Sequence, residues 1–421
     1  MNYIIGIGTN IGFTLENIHT AINLLDIHKD IKVLKKAALY SSDALLKKNS
    51  PKEWNIKFLN TAVKIKSSLA PQQLFNVLKK IEKNMGRDFT APAWSPRVID
   101  LDILASDDLL LETDNLSIPH KELINRNFAL APLLDLDKSW YHPNYAEFNA
   151  KSRLKELGHI DKINQTLSNT MRMGIVNISD QSFTDGHFDD IQRKTNLQQL
   201  VSAGAEIIDI GAESTNPTAT PISTEEEFHK LDTFLAQIRP QLSTLKYRPL
   251  ISIDTRKFDV MKKILEKYNN IVWMINDVEC NDIAQKAELI AKYNKKYVIT
   301  HNLGITARDT YLEKEDAVEE VCSFIESKKQ TLISKGVDNQ NIYFDVGFGF
   351  SKKSDVAIHL LDKIDSVQKK LKLKSLVGHS RKSSILGIPR TSSIDELDQA
   401  TTKLSMQLEK KKINIIRVHK V

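Results

Sequence analysis

Two aspartates, Asp100 and Asp102, stand one residue apart inside the aliphatic run PRVIDLDIL at 96–104. On a strand, alternate side chains share a face, so both carboxylates point the same way. Holding two like charges together is costly unless a cation lies between them. Mg²⁺ meets that need, because it takes one or two carboxylates and leaves positions for substrate phosphates. Phosphoryl transfer then requires little beyond positioning and neutralised charge. Basic groups stand close in sequence: Arg87, Arg97 and Arg126, with His120 as a donor to a phosphate oxygen. The phosphate loop G-x-x-x-x-G-K-[ST] is absent, and GIGTNIG at 6–12 misses the dinucleotide fingerprint by one position.

A second set of polar residues closes a series of apolar segments. These are MGIVNI (173–178), EIIDIG (206–211), LISID (250–254), IVWMIND (271–277), YVITH (297–301), IYFDVG (342–347), SLVGHS (375–380) and INIIRVH (413–419). At or just past their ends stand Asn177, Asp209 with Glu213, Asp254, Asn276 with Asp277, His301, Asp345, Ser380 with Arg381 and Lys382, and Arg417 with His419. Packing explains apolar interiors. It does not require polar groups at all eight ends, although one or two would serve as helix caps. Asp254, Asn276, Asp345 and Lys382 match the donor and acceptor edge of a pterin or similar heterocycle. Arg417, His419 and Asn177 suit an anion such as diphosphate, which Mg²⁺ could accompany, and Ser380 suits a second, smaller substrate.

The elements that position these groups differ between the two parts of the chain. Before residue 158, strands at 2–8, 58–68 and 96–104 mix with helices at 15–27 and 71–86, the latter opened by Pro71 and closed by Gly86. That mixture predicts an α+β sandwich of ferredoxin-like type over residues 1–158. The eight apolar segments have the near-continuous hydrophobicity of buried parallel strands and the spacing of βα units. They predict a (β/α)₈ TIM barrel over 171–421, without an eighth outer helix after the last strand. Residues 159–170 are expected to link the two.

GIGTNIG, FLNTAV, WSPRVIDLDIL and IPHKELINRNFALAPL together resemble hydroxymethyldihydropterin pyrophosphokinase over about residues 1–145. The resemblance implies transfer of pyrophosphate from ATP to a hydroxymethyldihydropterin. Asp100 and Asp102 would hold two Mg²⁺ ions, and Phe58 and Phe128 would sandwich the pterin, with Asn60 on its edge. Arg87 and Arg97 would serve the transfer, while Trp94, His120 and Arg126 would bind ATP. The loop RDFTAPAW (87–94) carries fewer basic residues than that family usually shows.

MGIVNI, AEIIDIGAEST, ISIDTRK, FDVGFGF, VGHSRKS and IIRVHKV resemble dihydropteroate synthase from about residue 171 onward. This implies that p-aminobenzoate displaces diphosphate from the first product. Asp254, Asn276, Asp345 and Lys382 would hold the pterin; Asn177, Thr215, Arg417 and His419 the diphosphate; and Ser380 the p-aminobenzoate. Asp254, Lys382 and Arg417 are the catalytic candidates, with one Mg²⁺ at Asn177. Three places depart from the family: Ser179-Asp180-Gln181, Asn216 and Ser351. They motivate an alternative in which an active kinase is fused to a weakened pterin-binding barrel.

Composition limits the partners. The 421 residues are 41% hydrophobic and 27% charged, with a net charge of +6 spread over many lysines rather than gathered into a basic, aromatic surface. Small-molecule substrates are therefore expected, with no nucleic acid and no membrane. The two cysteines, Cys280 and Cys322, argue for buried thiols in a reducing cytoplasm rather than a disulfide framework. Assembly as a homodimer is left open.

Overall fold

The computed structural model describes residues 1–107, 109–144, 148–178, 190–213, 220–242, 245, 247–304, 311–350, 352–389 and 391–421. Two compact units meet in sequence between Leu167 and Ser168.

The first unit is built on β1 (Asn2–Thr9), β2 (Ile31–Lys36), β3 (Ala38–Ser42), β4 (Phe58–Ser67) and β5 (Asp100–Ser106). A small hairpin, β6 (Leu111–Glu112) with β7 (Ser117–Ile118), and a final strand, β8 (Asp161–Thr166), complete its strands. β1 lies between β5 and β4, all antiparallel. The far edge of β4 is shared by β2 and β3, and β8 pairs with β3. Residues 159–170 are therefore not a free linker. The backbone groups of 161–166 complete the sheet beside β3, the outlet that extended backbone needs for its hydrogen bonds.

Helices α1 (Thr14–Asp26), α2 (Pro71–Asn84), α3 (Asn127–Leu136) and α4 (Ala150–Glu156) belong to this unit. α2 starts where Pro71 needs no N–H partner, and Gln73 Oε1 accepts the Ala70 N–H at 3.0 Å. On α3, Ala129, Leu133 and Leu136 pack with Ile4, Ala62 and Leu104 of the sheet. These residues share one face of β1, β4 and β5.

The second unit is a closed parallel barrel. Its strands are β9 (Met171–Asn177), β10 (Ile207–Gly211), β11 (Leu250–Asp254), β12 (Val272–Asp277), β13 (Lys296–Thr300), β14 (Ile342–Asp345), β15 (Lys374–Val377) and β16 (Ile415–Val418). Each pairs with its neighbour, and β16 closes onto β9. Their side chains are almost all buried, as near-continuous apolar strands require. Outside lie α5 (Asp190–Ala203), α6 (Thr224–Leu242), α7 (Phe258–Tyr268), α8 (Ile283–Tyr293), α9 (Ala317–Ser334), α10 (Ser354–Asp362), α11 (Ile364–Leu371), α12 (Ser383–Leu386) and α13 (Ile394–Lys410). Residues 419–421 follow β16. Both cysteines are buried. No described helix is long and apolar enough to cross a membrane.

Candidate functional site

In the first unit, the sheet face that carries α3 is left open at its other end. There Gly8 stands opposite Asn60 on one side and Asp100 on the other, and Gly6 opposite Ala62 and Asp102. A side chain on Gly8 would come within 3.3 Å of Asn60 Oδ1 and 4.0 Å of Asp100 Cβ, so glycine keeps that row open. The result is a cavity of about 510 Å³. Phe58, Asn60, Arg87, Trp94, Arg97, Asp100, Asp102, His120, Arg126 and Phe128 all line it. Ten residues chosen from sequence thus converge on one space.

The strand begins later than the sequence suggests, at Asp100 rather than Pro96. Residues 96–99 are tied instead to Asn10, whose N–H donates to Arg97 O at 3.1 Å and whose Oδ1 accepts the Arg97 N–H at 2.7 Å. Asp100 is held by Arg87 at 2.5 Å and Arg97 at 3.2 Å. Burial works against its charge, but the arginines prevail and its pKa lies below the usual carboxylate value. Asp102 is different. Among the described residues its one ion pair is Lys79 Nζ at 3.8 Å. Burial, then the charge of Asp100, push its pKa up. A divalent cation beside the pair could relieve that repulsion. No group of three or more His, Cys, Asp or Glu among the described residues would hold a metal alone. The two aspartates could supply one or two carboxylates to a Mg²⁺ ion, which takes its other ligands from substrate oxygens and water.

His120 Nδ1 accepts the Glu122 N–H at 3.1 Å, so the neutral ring carries its proton on Nε2, as a donor. Burial lowers its pKa. The Arg126 guanidinium lies 6.0 Å from the Trp94 ring centre and 5.9 Å from that of Phe128, and Phe89 covers Arg87 at 5.1 Å. The loop poor in basic residues therefore meets the site's arginines with aromatic faces.

Sequence reasoning missed the support beneath Asp100. Glu82 on α2 is fully buried. Its Oε1 accepts from Leu101 N at 2.7 Å and Lys79 Nζ at 2.8 Å, and lies 2.7 Å from Arg87 Nη1. The signal was faint: Lys79 and Glu82 sit one helical turn apart on an otherwise ordinary amphipathic helix.

At the barrel, Arg417 Nε donates to Asp209 Oδ2 at 2.6 Å and Nη2 donates to Asp254 Oδ2 at 2.7 Å. Asn276 Nδ2 donates to Asp209 Oδ2 at 3.0 Å. Burial raises Asp254 to about 7, against the pull of Arg417. Lys382 donates to the Phe348 carbonyl and lies below the Phe350 ring, and burial lowers its pKa to about 8. Asp345 Oδ1 accepts the Gly347 N–H at 2.8 Å. Ser380 Oγ lies 2.9 Å from His419 Nδ1. Asn177 ends β9 opposite Gly211.

Thr215, and the departures at Ser179, Asp180, Gln181, Asn216 and Ser351, lie outside the described residues. Asp209, noted only as a strand-end residue, is the acceptor that joins Arg417 to Asn276. Glu213 pairs with Arg256 at 2.7 Å and Lys257 at 2.9 Å, and so serves the strand ends rather than an open space.

Known proteins resemble each unit. The family 7,8-dihydro-6-hydroxymethylpterin-pyrophosphokinase matches residues 4–138, and the family Pterin binding enzyme matches 173–419. A Folate synthesis bifunctional protein of Chlamydia caviae is 31% identical across 99% of this chain and 94% of its own length. Dihydropteroate synthase of Anaplasma phagocytophilum, solved with 6-hydroxymethylpterin-monophosphate, is 30% identical over 60% of this chain and 93% of its own, with a TM-score of 0.53. A Plasmodium falciparum HPPK-DHPS structure, 21% identical, shares the fold over 99% of this chain and 92% of its own at a TM-score of 0.52.

Proposed function

This chain belongs to the folate synthesis bifunctional proteins, and from that premise we propose how its residues divide two successive reactions. The first unit moves pyrophosphate from ATP to 6-hydroxymethyl-7,8-dihydropterin and releases AMP. The second joins the resulting diphosphate to p-aminobenzoate, giving 7,8-dihydropteroate and free diphosphate.

In the first reaction Phe58 and Phe128 would stack on the two faces of the pterin, with Asn60 donating or accepting at its edge. Arg87, Arg97, His120 and Arg126 would meet the ATP phosphates, and Trp94 would cover them. Asp100 and Asp102 would hold two Mg²⁺ ions. When bound, these neutralise charge on both the attacking and leaving sides of an in-line displacement. The observation that supports this reading best is the meeting of all ten side chains on one cavity floored by two aspartates.

In the second reaction Asp254, Asn276, Asp345 and Lys382 would hold the pterin edge. Asn177, Thr215, Arg417 and His419 would hold the departing diphosphate, and Asn177 would help hold a Mg²⁺ ion that would neutralise part of its charge. Arg417, already fixed by Asp209 and Asp254, would stabilise charge as the C–O bond breaks, which needs no reorganisation in the transition state. Ser380 would receive p-aminobenzoate, whose amine attacks the freed methylene carbon and then loses a proton.

The test is a coupled assay on the whole chain with ATP, Mg²⁺, hydroxymethyldihydropterin and p-aminobenzoate, following AMP and dihydropteroate separately. Both products are expected. AMP without dihydropteroate, when supplied pterin diphosphate also fails, would instead favour a barrel that binds pterin without turning it over.

A further inference from the structure

Lys352 is the least expected residue of the barrel. It is 6% exposed, and no carboxylate pairs with it among the described residues. Its ammonium is ringed by neutral acceptors: His301 Nδ1 and Phe350 O at 2.9 Å, Gly347 O at 3.2 Å and His301 O at 3.3 Å. Burial pushes its pKa down to about 7. The Asp345 charge favours the ammonium without pairing directly with it, so the buried lysine is held at a cost that a methionine filling the same space would not incur.

The acceptors show what the lysine joins. His301 follows β13, and residues 347–350 form the turn that follows β14. The two approach so closely that a side chain on Gly347, whose φ is +72°, would meet His301 O at 2.0 Å. The same turn touches the pterin-facing groups. Gly347 N donates to Asp345 Oδ1, Phe348 O accepts from Lys382 Nζ, and the Phe350 ring lies 5.9 Å from Lys382 Nζ. The His301 ring supports this arrangement. Burial, then the Lys352 charge, lower its pKa to about 3, so it stays neutral and offers Nδ1 as an acceptor.

We infer that Lys352 is a positioning residue for the second reaction: its N–H donors fold the 347–350 turn onto His301 and thereby set Asp345, Lys382 and Phe350 against the pterin. This rests on the reading of the barrel as the synthase unit. Lys352 touches no substrate; it acts through the turn.

The experiment compares whole-chain Lys352→Met and Lys352→Gln with the unaltered chain, using supplied pterin diphosphate and p-aminobenzoate. The first reaction is measured alongside as an internal control. Lys352→Met removes every donor and is expected to raise the KM for pterin diphosphate roughly tenfold or more. The KM for p-aminobenzoate should move less. Lys352→Gln keeps two N–H donors in the cage and is expected to recover part of the loss. Unchanged KM and kcat in either folded variant would overturn the inference. So would loss of the barrel's thermal transition in both variants with the first reaction intact, because the lysine would then hold the whole barrel rather than the turn. If the unaltered chain itself makes no dihydropteroate, the synthase reading fails instead, and pterin affinity of the variants by titration still decides the role of Lys352.

Discussion

Arg417 and Asp209 lie 208 residues apart in sequence, yet Arg417 Nε donates to Asp209 Oδ2 across 2.6 Å. Asp209 is fully buried, and Asn276 reaches the same oxygen. The aspartate therefore holds two of the proposed substrate contacts at once. Removing it would leave a largely buried guanidinium with Asp254 as its remaining carboxylate. Asp209→Ala should cost about 3 kcal/mol, the lower end for breaking a buried pair, and should abolish dihydropteroate formation. Urea unfolding and the second assay would check this, with the first reaction expected to persist.

The carboxylates of the first unit give a sharper separation. Asp100→Ala or Asp102→Ala should lower AMP release by at least about a hundredfold, as loss of a charge-stabilising group at a reacting centre does. Synthase activity on supplied pterin diphosphate should stay at its original rate. Parallel loss of both activities would point to misfolding rather than to a missing Mg²⁺ ligand.

Glu82 supports the same centre from below. It accepts from the Leu101 N–H and lies against Lys79 and Arg87 while fully buried. Glu82→Gln keeps the shape but not the charge. It should lower stability by about 1–3 kcal/mol and free Arg87 from one of its two anchors. The expected kinetic signature is a reduced kcat for the first reaction with little change in the KM for hydroxymethyldihydropterin.

His379 gives a pH signature. It is fully buried, with Nε2 near Ser405 Oγ at 2.9 Å and the Thr401 carbonyl at 3.2 Å, and burial lowers its pKa from 6.5 to about 4. Between those values the unfolded chain binds a proton that the folded chain refuses. The stabilising contribution of the neutral ring is thus present above pH 6.5 and lost as pH falls toward 4. The stability advantage of the unaltered protein over His379→Gln should shrink by roughly 1.4 kcal/mol per pH unit across that window. Urea midpoints at several pH values would measure it; a constant difference would mean that His379 does not titrate in this way.

Much of this protein is legible in its sequence. Eight apolar runs with polar ends announce eight buried parallel strands, because a strand covered on both faces has no place for polar side chains except at its ends. The alternation of Asp100 and Asp102 fixes their common face, because the side-chain period of a strand is two. Pairing was not legible in this way. β8 sits within the stretch read as a linker, and its place beside β3 depends on a sheet edge more than a hundred residues earlier in the chain. The Asn10 bonds to Arg97, the Glu82 carboxylate on the Leu101 N–H, and the His301 acceptor beside Lys352 are likewise contacts between separate segments. Sequence periodicity records how each segment meets its immediate neighbours. Which charge meets which is decided only when sheet and barrel close, since closure sets the distances and the burial that make one pairing cheaper than another.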